Sequence, residues 1–347
     1  MAISTDPKIK GAGVPGQARA PGGLLGTLQK LNQEQIVLGV TVLLVVAFSV
    51  LLPGFATLSN LLTMLNGISV LGILALGAAI VIIGRGLDIS QITSLAIGAA
   101  LAALVMKEGG SIGWAVTAGL VIPVGLGLLN GFVVAFVEIP PLFATLATNL
   151  LVFGLARVFI VGSTYTVYVP DGAKAFLALG GTVGGVPVPV LVFVVMAVLV
   201  HVFLSRTRLG RFVYAHGDNP EAARLTGIAV RPLAILEYLL SALLGYIAGL
   251  VLMATLSSID TQIVLGTTIF DVILVAVLGG VSLVGGRGSV YSVVVGALLI
   301  GVIQNGMTRL NLNSDVQDIV RGLVLMAAIV VDNRLHPRDE ETARQGE

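Results

Sequence analysis

The chain has 347 residues, of which 56% are hydrophobic and only 11% are charged, a balance that excludes an ordinary water-soluble protein. Nineteen Lys and Arg residues stand against eighteen Asp and Glu residues, so a net charge of +1 provides no broad basic surface for nucleic acid. The absence of Cys excludes disulfides, and three scattered His residues argue against a zinc site. Composition therefore predicts a membrane protein without a metal or other cofactor and without a nucleic-acid partner.

Apolar stretches long enough to cross a bilayer recur along the chain. Because a membrane helix needs about 20 mainly apolar residues, we expect an all-α polytopic membrane protein with about ten transmembrane helices. They are predicted near residues 36–52, 61–84, 91–106, 113–137, 142–161, 187–205, 233–256, 268–284, 289–308 and 317–332. The third, eighth and tenth are short or interrupted by charge, so each could be a half-helix or a re-entrant segment.

The segments outside these spans are short. Residues 1–35 are rich in Pro, Gly and Gln and are predicted to be a disordered cytoplasmic tail. The transmembrane domain is expected to cover residues 36–333, followed by a cytoplasmic tail at 334–347. The external loop at 162–187 is long enough for a short ordered lid but not for a domain.

The distribution of basic residues predicts the orientation, since Lys and Arg in short loops are retained on the cytoplasmic side. With the N-terminus inside, most basic residues fall in cytoplasmic segments, and only Lys107, Lys174 and Arg309 fall opposite them. Both termini are therefore expected to be cytoplasmic.

Small residues recur four apart on the predicted helices, a spacing that lets helix backbones approach closely. The rows are Ser94, Gly98 and Ala102; Gly127 and Gly131; Ser241, Gly245 and Gly249; and Gly288, Ser292 and Gly296. We interpret them as helix-packing contacts.

The motifs of several chemistries are missing. No Gly-Lys dipeptide occurs, so the chain lacks the phosphate-binding loop that ATP hydrolysis would need, and neither H-E-x-x-H nor G-x-S-x-G is present. The sequence therefore favours conduction, transport or scaffolding over enzymatic activity.

Several polar residues in apolar surroundings are candidates for a translocation path, because ionisable groups in a membrane are usually functional. Asp88 and Ser90 lie between two spans and could cap a helix or line a path; Asp271 offers the same alternatives. Thr145, Asn149 and Arg157 form a polar stripe that must face protein or water. Arg321 with Asp318 and Gln317 has the spacing of a local ion pair.

Uncharged amides in the spans have two interpretations. Asn66, Asn130, Gln304 and Asn305 can donate and accept hydrogen bonds without the desolvation cost of a charge, which suits a neutral polyol. Each could equally form an interhelical hydrogen bond.

The longest internal loop, residues 206–231, has the signals of a short capped helix. Asp218 or Asn219 can cap it, Pro220 suits its first position, and Gly227 can end it. We interpret this helix as a partner-docking element, against the alternative of a simple basic membrane anchor.

Residues 217–228 (GDNPEAARLTGI) resemble the cytoplasmic coupling segment of bacterial ABC-importer permeases of the ribose/xylose/galactose family. Residues 84–90 (GRGLDIS), 129–131 (LNG), 139–148 (IPPLFATLAT) and 278–289 (LGGVSLVGGRGS) are similar to other motifs of that family. The similarity spans roughly residues 58–333. Arg85 stands where the family usually has Gly, and Ile269 where it often has Glu.

This resemblance implies a multi-pass permease subunit in the bacterial inner membrane that moves a monosaccharide by alternating access. Its expected partners are a cytoplasmic ABC ATPase, a periplasmic sugar-binding protein, a second permease copy or paralogue, and membrane lipid. We expect the path to involve Asn66, Asp88, Ser90, Asn130, Asn149 and Asp271. We expect coupling to the ATPase through Gly217, Asn219, Glu221, Ala222, Ala223, Arg224 and Gly227.

Three alternatives remain at this stage. The chain could be an ABC permease for branched-chain amino acids, an ion-driven secondary transporter with broken helices, or a scaffold that transports nothing. A scaffold would leave the polar stripe at Thr145, Asn149 and Arg157 without a water-lined cavity to face.

Overall fold

A computed structural model describes residues 33–162 and 164–335, so most of the two predicted tails lies outside the described residues. The helices are α1 (Gln33–Leu51), α2 (Leu58–Ile83), α3 (Gln91–Lys107), α4 (Ile112–Gly119), α5 (Val121–Ala135), α6 (Pro141–Ala156), α7 (Lys174–Leu177), α8 (Val188–Arg206), α9 (Arg208–Asp218), α10 (Pro220–Leu225), α11 (Val230–Leu256), α12 (Thr268–Gly279), α13 (Val290–Arg309) and α14 (Ser314–Leu335). The all-α prediction is confirmed.

Short irregular elements connect some of these helices. A π-helical turn, Arg157–Val161, extends α6, and 3₁₀ turns occur at Ala178–Gly180 and Thr261–Leu265. Strand β1 (Thr166–Tyr168) pairs antiparallel with β4 (Ser258–Asp260), and β2 (Thr182–Val183) pairs with β3 (Val186–Pro187). The first pairing ties the 162–187 loop to the end of α11.

Seven helical segments of the described chain are long and apolar enough to cross a membrane. They are Gln33–Leu51, Leu58–Ile83, Ile112–Ala135, Pro141–Val161, Val188–Arg206, Val230–Leu256 and Val290–Arg309. Helices α3 and α12 are shorter apolar helices. The three spans predicted to be short or interrupted by charge correspond to α3, α12 and α14, which are not among the seven.

The predicted boundaries lie within about three residues of the observed helix ends, except for the eighth span. That span was predicted to reach residue 284, but α12 ends at Gly279. The reason is Gly280, whose φ of +111° places it in the left-handed region, where the backbone leaves the helix. The following residues form a turn that leads into α13.

Helix α11 packs closely against α5 because two glycines of α5 leave room for its backbone. A Cβ atom on Gly131 would lie 2.4 Å from the Cα of Ile235, and one on Gly127 would lie 2.6 Å from the Cα of Leu239. Such contacts let two helices gain dispersion energy along their backbones in a lipid environment. The predicted row of small residues on α5 is therefore a helix-packing contact.

The other face of α11 contacts α3 in the same way. A Cβ atom on Gly249 would lie 2.2 Å from the Leu95 carbonyl oxygen. One on Gly245 would lie 2.7 Å from that of Gln91. One predicted row is partly wrong: Gly288 has a φ of +140° and precedes α13, so it does not lie on that helix.

One end of the bundle carries α9 and α10, and we call it the loop face. The end of α2, the start of α11 and the start of α13 lie there, because residues 214–217 contact all three. Gln33 also lies at this face, since its side-chain amide donates to the Val277 carbonyl at 3.2 Å. The β1–β4 pair lies at the far end of α11, which we call the opposite face.

Candidate translocation network and coupling junction

Four of the predicted path residues take part in buried hydrogen bonds between α3, α5, α6 and the α2–α3 turn. The Ser90 hydroxyl donates to Asp88 Oδ1 at 2.7 Å, and the Asn130 side-chain amide donates to the Ser90 hydroxyl at 2.6 Å. The Thr148 hydroxyl in turn donates to Asn130 Oδ1 at 2.6 Å. Asp88, Ser90, Asn130 and Thr148 are all buried, and together they form one continuous chain of hydrogen bonds, which we call the polar network.

Asn149 belongs to the same region. Its Oδ1 accepts a hydrogen bond from the Thr93 hydroxyl, which ties α6 to α3. The Thr145 hydroxyl donates to the Leu87 carbonyl at 3.2 Å, in the turn between α2 and α3. Thr145 and Asn149, the inward-facing residues of the predicted stripe on α6, therefore form hydrogen bonds with protein groups, as a membrane interior requires.

Arg157, the third residue of that stripe, has different surroundings. Its guanidinium donates to the Thr164 carbonyl at 2.6 Å and lies 3.9 Å from the centroid of the Tyr165 ring. Arg157 therefore orders the start of the 162–187 loop, while Thr145 and Asn149 face the interior.

The remaining two predicted path residues lie elsewhere. Gln91, the neighbour of Ser90, contacts α2 at the Leu74 carbonyl, and Asn66 precedes Leu74 by eight helical residues, about 12 Å along α2 at 1.5 Å per residue. Its Oδ1 is buried without a hydrogen-bond partner among the described residues. Asp271, on α12, faces Arg321 of α14 at 3.4 Å. The structure therefore brings Asp88, Ser90, Asn130 and Asn149 together and leaves Asn66 and Asp271 apart from them.

Arg321 joins two acidic residues. It lies 3.1 Å from Asp318, which confirms the predicted local ion pair, and the contact with Asp271 extends that pair to α12. Helix capping therefore does not account for Asp271, which ties two helices together.

The amide Asn305 is engaged in helix packing. It exchanges hydrogen bonds with Asn60 at 2.9 and 3.1 Å, and Arg309 also donates to Asn60 at 3.1 Å. The interhelical alternative therefore describes Asn305.

Sequence reasoning missed Gln91 and Ser241, which lie beside the polar network. The Gln91 amide nitrogen donates to the carbonyls of Leu74 and Ser241, at 3.0 and 3.2 Å. Gln91 Oε1, the Ser241 hydroxyl and Asp88 Oδ2 are buried and have no well-oriented hydrogen-bond partner among the described residues. The candidates predicted from the sequence include other amides of the spans but not Gln91, and Ser241 is interpreted there only as a helix-packing residue.

The loop at 206–231 contains the predicted capped helix. Asn219 Oδ1 accepts a hydrogen bond from the Ala222 amide at 3.0 Å, and Pro220 occupies the first position of α10. Gly227, with a φ of +84°, follows the helix and donates to the Arg224 carbonyl at 3.0 Å. Of the two candidate caps, Asn219 is the one used, because Asp218 is the last residue of α9.

Helix α9 was not predicted, although its start carries a cap. The Thr207 hydroxyl accepts a hydrogen bond from the Gly210 amide at 3.0 Å. The prediction treated residues 208–217 as a basic stretch and overlooked this signal.

The side chains of α10 divide into an exposed and a buried set. Leu225 is 88% exposed, and Ala222, Glu221 and Arg224 are also exposed, whereas Ala223 is only 3% exposed. A large apolar side chain so exposed to water is suited to contact a partner. Ala223 instead packs against the protein.

Three elements meet at the end of α9, and we call residues 83, 214–218, 237 and 286–288 the coupling junction. A Cβ atom on Gly217 would lie 1.7 Å from the Ile83 carbonyl oxygen, which also accepts a hydrogen bond from the Gly286 amide at 2.8 Å. His216 Nδ1 lies 3.3 Å from Glu237 Oε1 of α11, and that carboxyl group is almost fully buried. Only a glycine fits at position 217.

The same junction is tied to α13 through Tyr214. The Tyr214 hydroxyl donates to the Gly288 carbonyl at 2.9 Å. Burial, and secondarily the charge of Glu34, raises the pKa of this phenol above its ordinary value, so it stays protonated and able to donate. Glu34 of α1 also accepts hydrogen bonds from Ser289 and Ser292 at the start of α13.

Comparison with known proteins identifies the family. Residues 60–329 match the family described as branched-chain amino acid transport system / permease component. The chain belongs to this family. The match covers the polar network and the coupling junction, so the permease contains both within the shared part of its sequence.

Individual relatives of the permease carry more specific names. The ribose import permease protein RbsC of Escherichia coli (strain K12) is 36% identical over 302 residues, covering 87% of this chain and 94% of the relative. The L-arabinose transport system permease protein AraH of the same strain is 36% identical over 290 residues, covering 83% and 87%. RbsC of Bacillus subtilis (strain 168) is 34% identical over 310 residues, covering 89% and 94%. No solved structure matches the chain.

These findings confirm the resemblance to monosaccharide-importer permeases. They also confirm that the permease is a multi-pass protein of the inner membrane, in agreement with its seven apolar helices. The roles of the individual path and coupling residues stay predictions.

Asn130 forms buried hydrogen bonds and the Asn66 carbonyl oxygen does not, so we expect different effects of the same substitution at the two positions. Asn130→Leu removes the buried hydrogen bonds that Asn130 forms with Ser90 and Thr148 and should cost about 1–3 kcal/mol of stability. Asn66→Leu removes a carbonyl oxygen that has no partner among the described residues, so it should leave stability unchanged and lower transport. Thermal unfolding in detergent and uptake into vesicles measure both; equal destabilisation by the two substitutions would contradict the distinction.

A double-mutant cycle tests the pair in the coupling junction. His216→Leu leaves the Glu237 carboxyl buried without its partner and should destabilise the permease by about 3–5 kcal/mol. Adding Glu237→Leu should recover most of that loss, because no unpaired polar group then remains. The measurement is the unfolding midpoint of the two single variants and the double variant. Additive losses would mean that the two side chains do not interact.

Proposed function

We propose that the chain is the membrane-spanning permease subunit of an ATP-binding-cassette importer, which moves a monosaccharide from the periplasm to the cytoplasm. The observation that carries this proposal is the similarity, at 34–36% identity over most of the chain, to permeases named for ribose and arabinose. The subunit has no ATPase site of its own, and partner ATPase subunits hydrolyse the ATP. The sequence supports this division of labour, since it lacks a phosphate-binding loop.

In this proposal the loop face is cytoplasmic and about ten helices cross the membrane. The basic residues of 206–231 support that orientation through the positive-inside rule. Gln33 lies at the loop face. Asp318 and Arg321, near the start of α14, lie next to Asp271 near the start of α12, and α14 is 22 residues long. Both ends of the chain are then cytoplasmic, with α3, α12 and α14 completing the crossings.

The proposed coupling route runs from α10 to the spans through the coupling junction. An ATPase subunit contacts the exposed side of α10, formed by Glu221, Ala222, Arg224 and Leu225. Gly217 then carries the movement to α2 because its backbone contacts the Ile83 carbonyl. His216 carries it to α11 through Glu237, and Tyr214 carries it to α13 through Gly288. Several spans therefore respond together to one movement.

The sugar path is proposed to involve the six predicted polar residues in two distinct ways. Asn66 and Asp271 are proposed to contact solute on the side of α2 and α12, which the unpartnered carbonyl oxygen of Asn66 supports. Asp88, Ser90 and Asn130 belong to the polar network and Asn149 bonds to Thr93 beside it, so these four are proposed to hold α3, α5 and α6 in one arrangement, against which the side of α2 and α12 moves. Alternating access requires such rearrangement between two states.

A periplasmic sugar-binding protein and a second permease copy or paralogue complete the proposed importer. The binding protein docks on the opposite face, where the 162–187 loop is ordered by its pairing with β4. The second permease and membrane lipid cover the exposed apolar side chains of the outer helices, including Phe132, Leu150 and Phe159.

The family description favours one second candidate, a permease for branched-chain amino acids. A reconstitution experiment separates the two. The permease is placed in vesicles with its ATPase and binding protein, and ATP hydrolysis is measured with ribose, arabinose or leucine outside. Stimulation by a sugar supports our proposal, and stimulation by leucine alone supports the amino-acid importer. Uptake driven by an ion gradient without the ATPase would refute both and favour a secondary transporter.

Substitutions on α10 test the docking surface. Leu225→Glu places a charge on a fully accessible apolar contact and should reduce co-purification of the ATPase about tenfold or more, since central apolar contacts dominate such interfaces. Leu310→Glu is the matched control, because Leu310 is exposed at the end of α13 that lies opposite the loop face. Ala223 is unsuitable because its burial would make a charge disrupt the fold. Retention of the ATPase by the Leu225 variant would refute docking at α10.

A further inference from the structure

A cleft opens at the loop face beside α10. It has a volume of 380 Å³ and lies between the turn after α2, the turn before α6 and the segment from α9 to the start of α11. Arg85, Glu138, Arg224 and Arg231 are among the side chains that line it. We call it the Arg85 cleft. Its size is within the range of small-molecule sites.

Backbone strain is concentrated at this cleft. Among the described residues, four that are not glycine have a positive φ: Arg85, Glu138, Ser257 and Asn311. Two of the four, Arg85 with a φ of +68° and Glu138 with a φ of +62°, line the cleft. Conformations of this kind are energetically unfavourable for residues other than glycine and persist mainly at functional sites.

The position of Arg85 explains why its conformation is unfavourable. The Arg85 amide donates to the Ile82 carbonyl at 2.9 Å, and the Gly86 amide donates to the Val81 carbonyl at 2.8 Å. These two hydrogen bonds form a Schellman motif, in which the residue just after the helix is usually glycine. The chain therefore holds an arginine where glycine would fold at lower cost.

The charges of the cleft leave the Arg85 side chain without a partner. Each carboxylate on the wall faces a basic group, in the pairs Glu138 with Arg231 at 3.1 Å, Glu221 with Arg224 at 3.6 Å, and Glu237 with His216 at 3.3 Å. The Arg85 guanidinium makes no hydrogen bond or ion pair within the part of the chain that the structure describes. Its side chain is exposed and lines the cleft.

We propose that the Arg85 cleft binds a phosphate group, carried by a phosphorylated molecule in solution or by a lipid headgroup. The planar guanidinium of arginine presents paired donors that match phosphate oxygens, and it keeps its charge at every physiological pH. Glu221 and Arg224 of α10 also line the cleft. An occupant therefore contacts the helix proposed to dock the ATPase, so the site is placed to modulate coupling.

Binding is measured on the full-length permease in maltoside micelles, which contain no phosphate group. Inorganic phosphate is titrated by calorimetry at constant ionic strength, with chloride as the competing anion. Arg85→Gln removes the charge but keeps a side chain, and Arg208→Gln is the control, because Arg208 is exposed on α9 at the loop face and does not line the cleft. We expect the dissociation constant to rise about tenfold or more for Arg85→Gln and to stay unchanged for Arg208→Gln.

A second arm identifies the source of the phosphate group. Retention of phosphatidylglycerol is measured by native mass spectrometry on the same variants. Loss of this lipid only in Arg85→Gln, without a change in inorganic phosphate binding, assigns the site to a lipid headgroup. Loss of inorganic phosphate binding assigns it to a soluble molecule.

Arg85→Gly provides a second test of the proposal if Arg85→Gln folds poorly. Glycine relieves the positive φ, so this variant should have a higher unfolding midpoint than the wild type and should lose phosphate binding. Equal binding of both phosphate sources by the wild type and Arg85→Gln would overturn the proposal. Reduced co-purification of the ATPase with Arg85→Gln, while binding of both phosphate sources stays unchanged, would also overturn the proposal. That result would assign the cleft to an acidic side chain of the partner. The transport proposal does not depend on either outcome.

Discussion

Direct backbone contact between α11 and its neighbours α3 and α5 is the constraint on which the rest of the structure depends. Glycines at positions 127, 131, 245 and 249 leave no room for a side chain, so the three helices approach more closely than larger residues would allow. In a bilayer the apolar surface of a helix gains little by leaving lipid, and close packing supplies the attraction instead. The approach also fixes the register that lets Asn130 reach Ser90 and Gln91 reach the Ser241 carbonyl.

Polar groups are distributed unequally over this framework. On the side of α3, α5 and α6, the polar network satisfies most of its own hydrogen bonds, which holds these helices together in one arrangement. On the side of α2, α12 and α14, Asn66 has an unpartnered oxygen and Asp271 shares Arg321 with Asp318. A transporter needs both properties, since a rigid part must move against a part whose polar groups can exchange partners.

The turn that follows α2 serves two roles at the loop face. The carbonyl of Ile83, the last residue of α2, contacts Gly217 and Gly286, and in the proposed coupling route this contact passes movement of α9 to α2. Two residues later, Arg85 projects into the cleft that α10 also lines. A ligand in the cleft and a partner on α10 would therefore act on neighbouring parts of one short segment, which is a physical basis for coupling between them.

The sequence by itself determined the helical membrane fold, nearly all boundaries of the apolar spans and the capped α10, because hydropathy, capping residues and glycine act over short distances along the chain. It also identified the family motifs and the local pair of Arg321 with Asp318. Only the tertiary structure decided that Asn130 bonds to Ser90 while the Asn66 carbonyl oxygen has no partner among the described residues. It also decided that Ala223 is buried and that Glu237 meets His216. Those facts depend on how each helix is rotated about its own axis relative to its neighbours. The sequence does not determine this rotation, because many helix packings are compatible with the same periodicity of apolar residues.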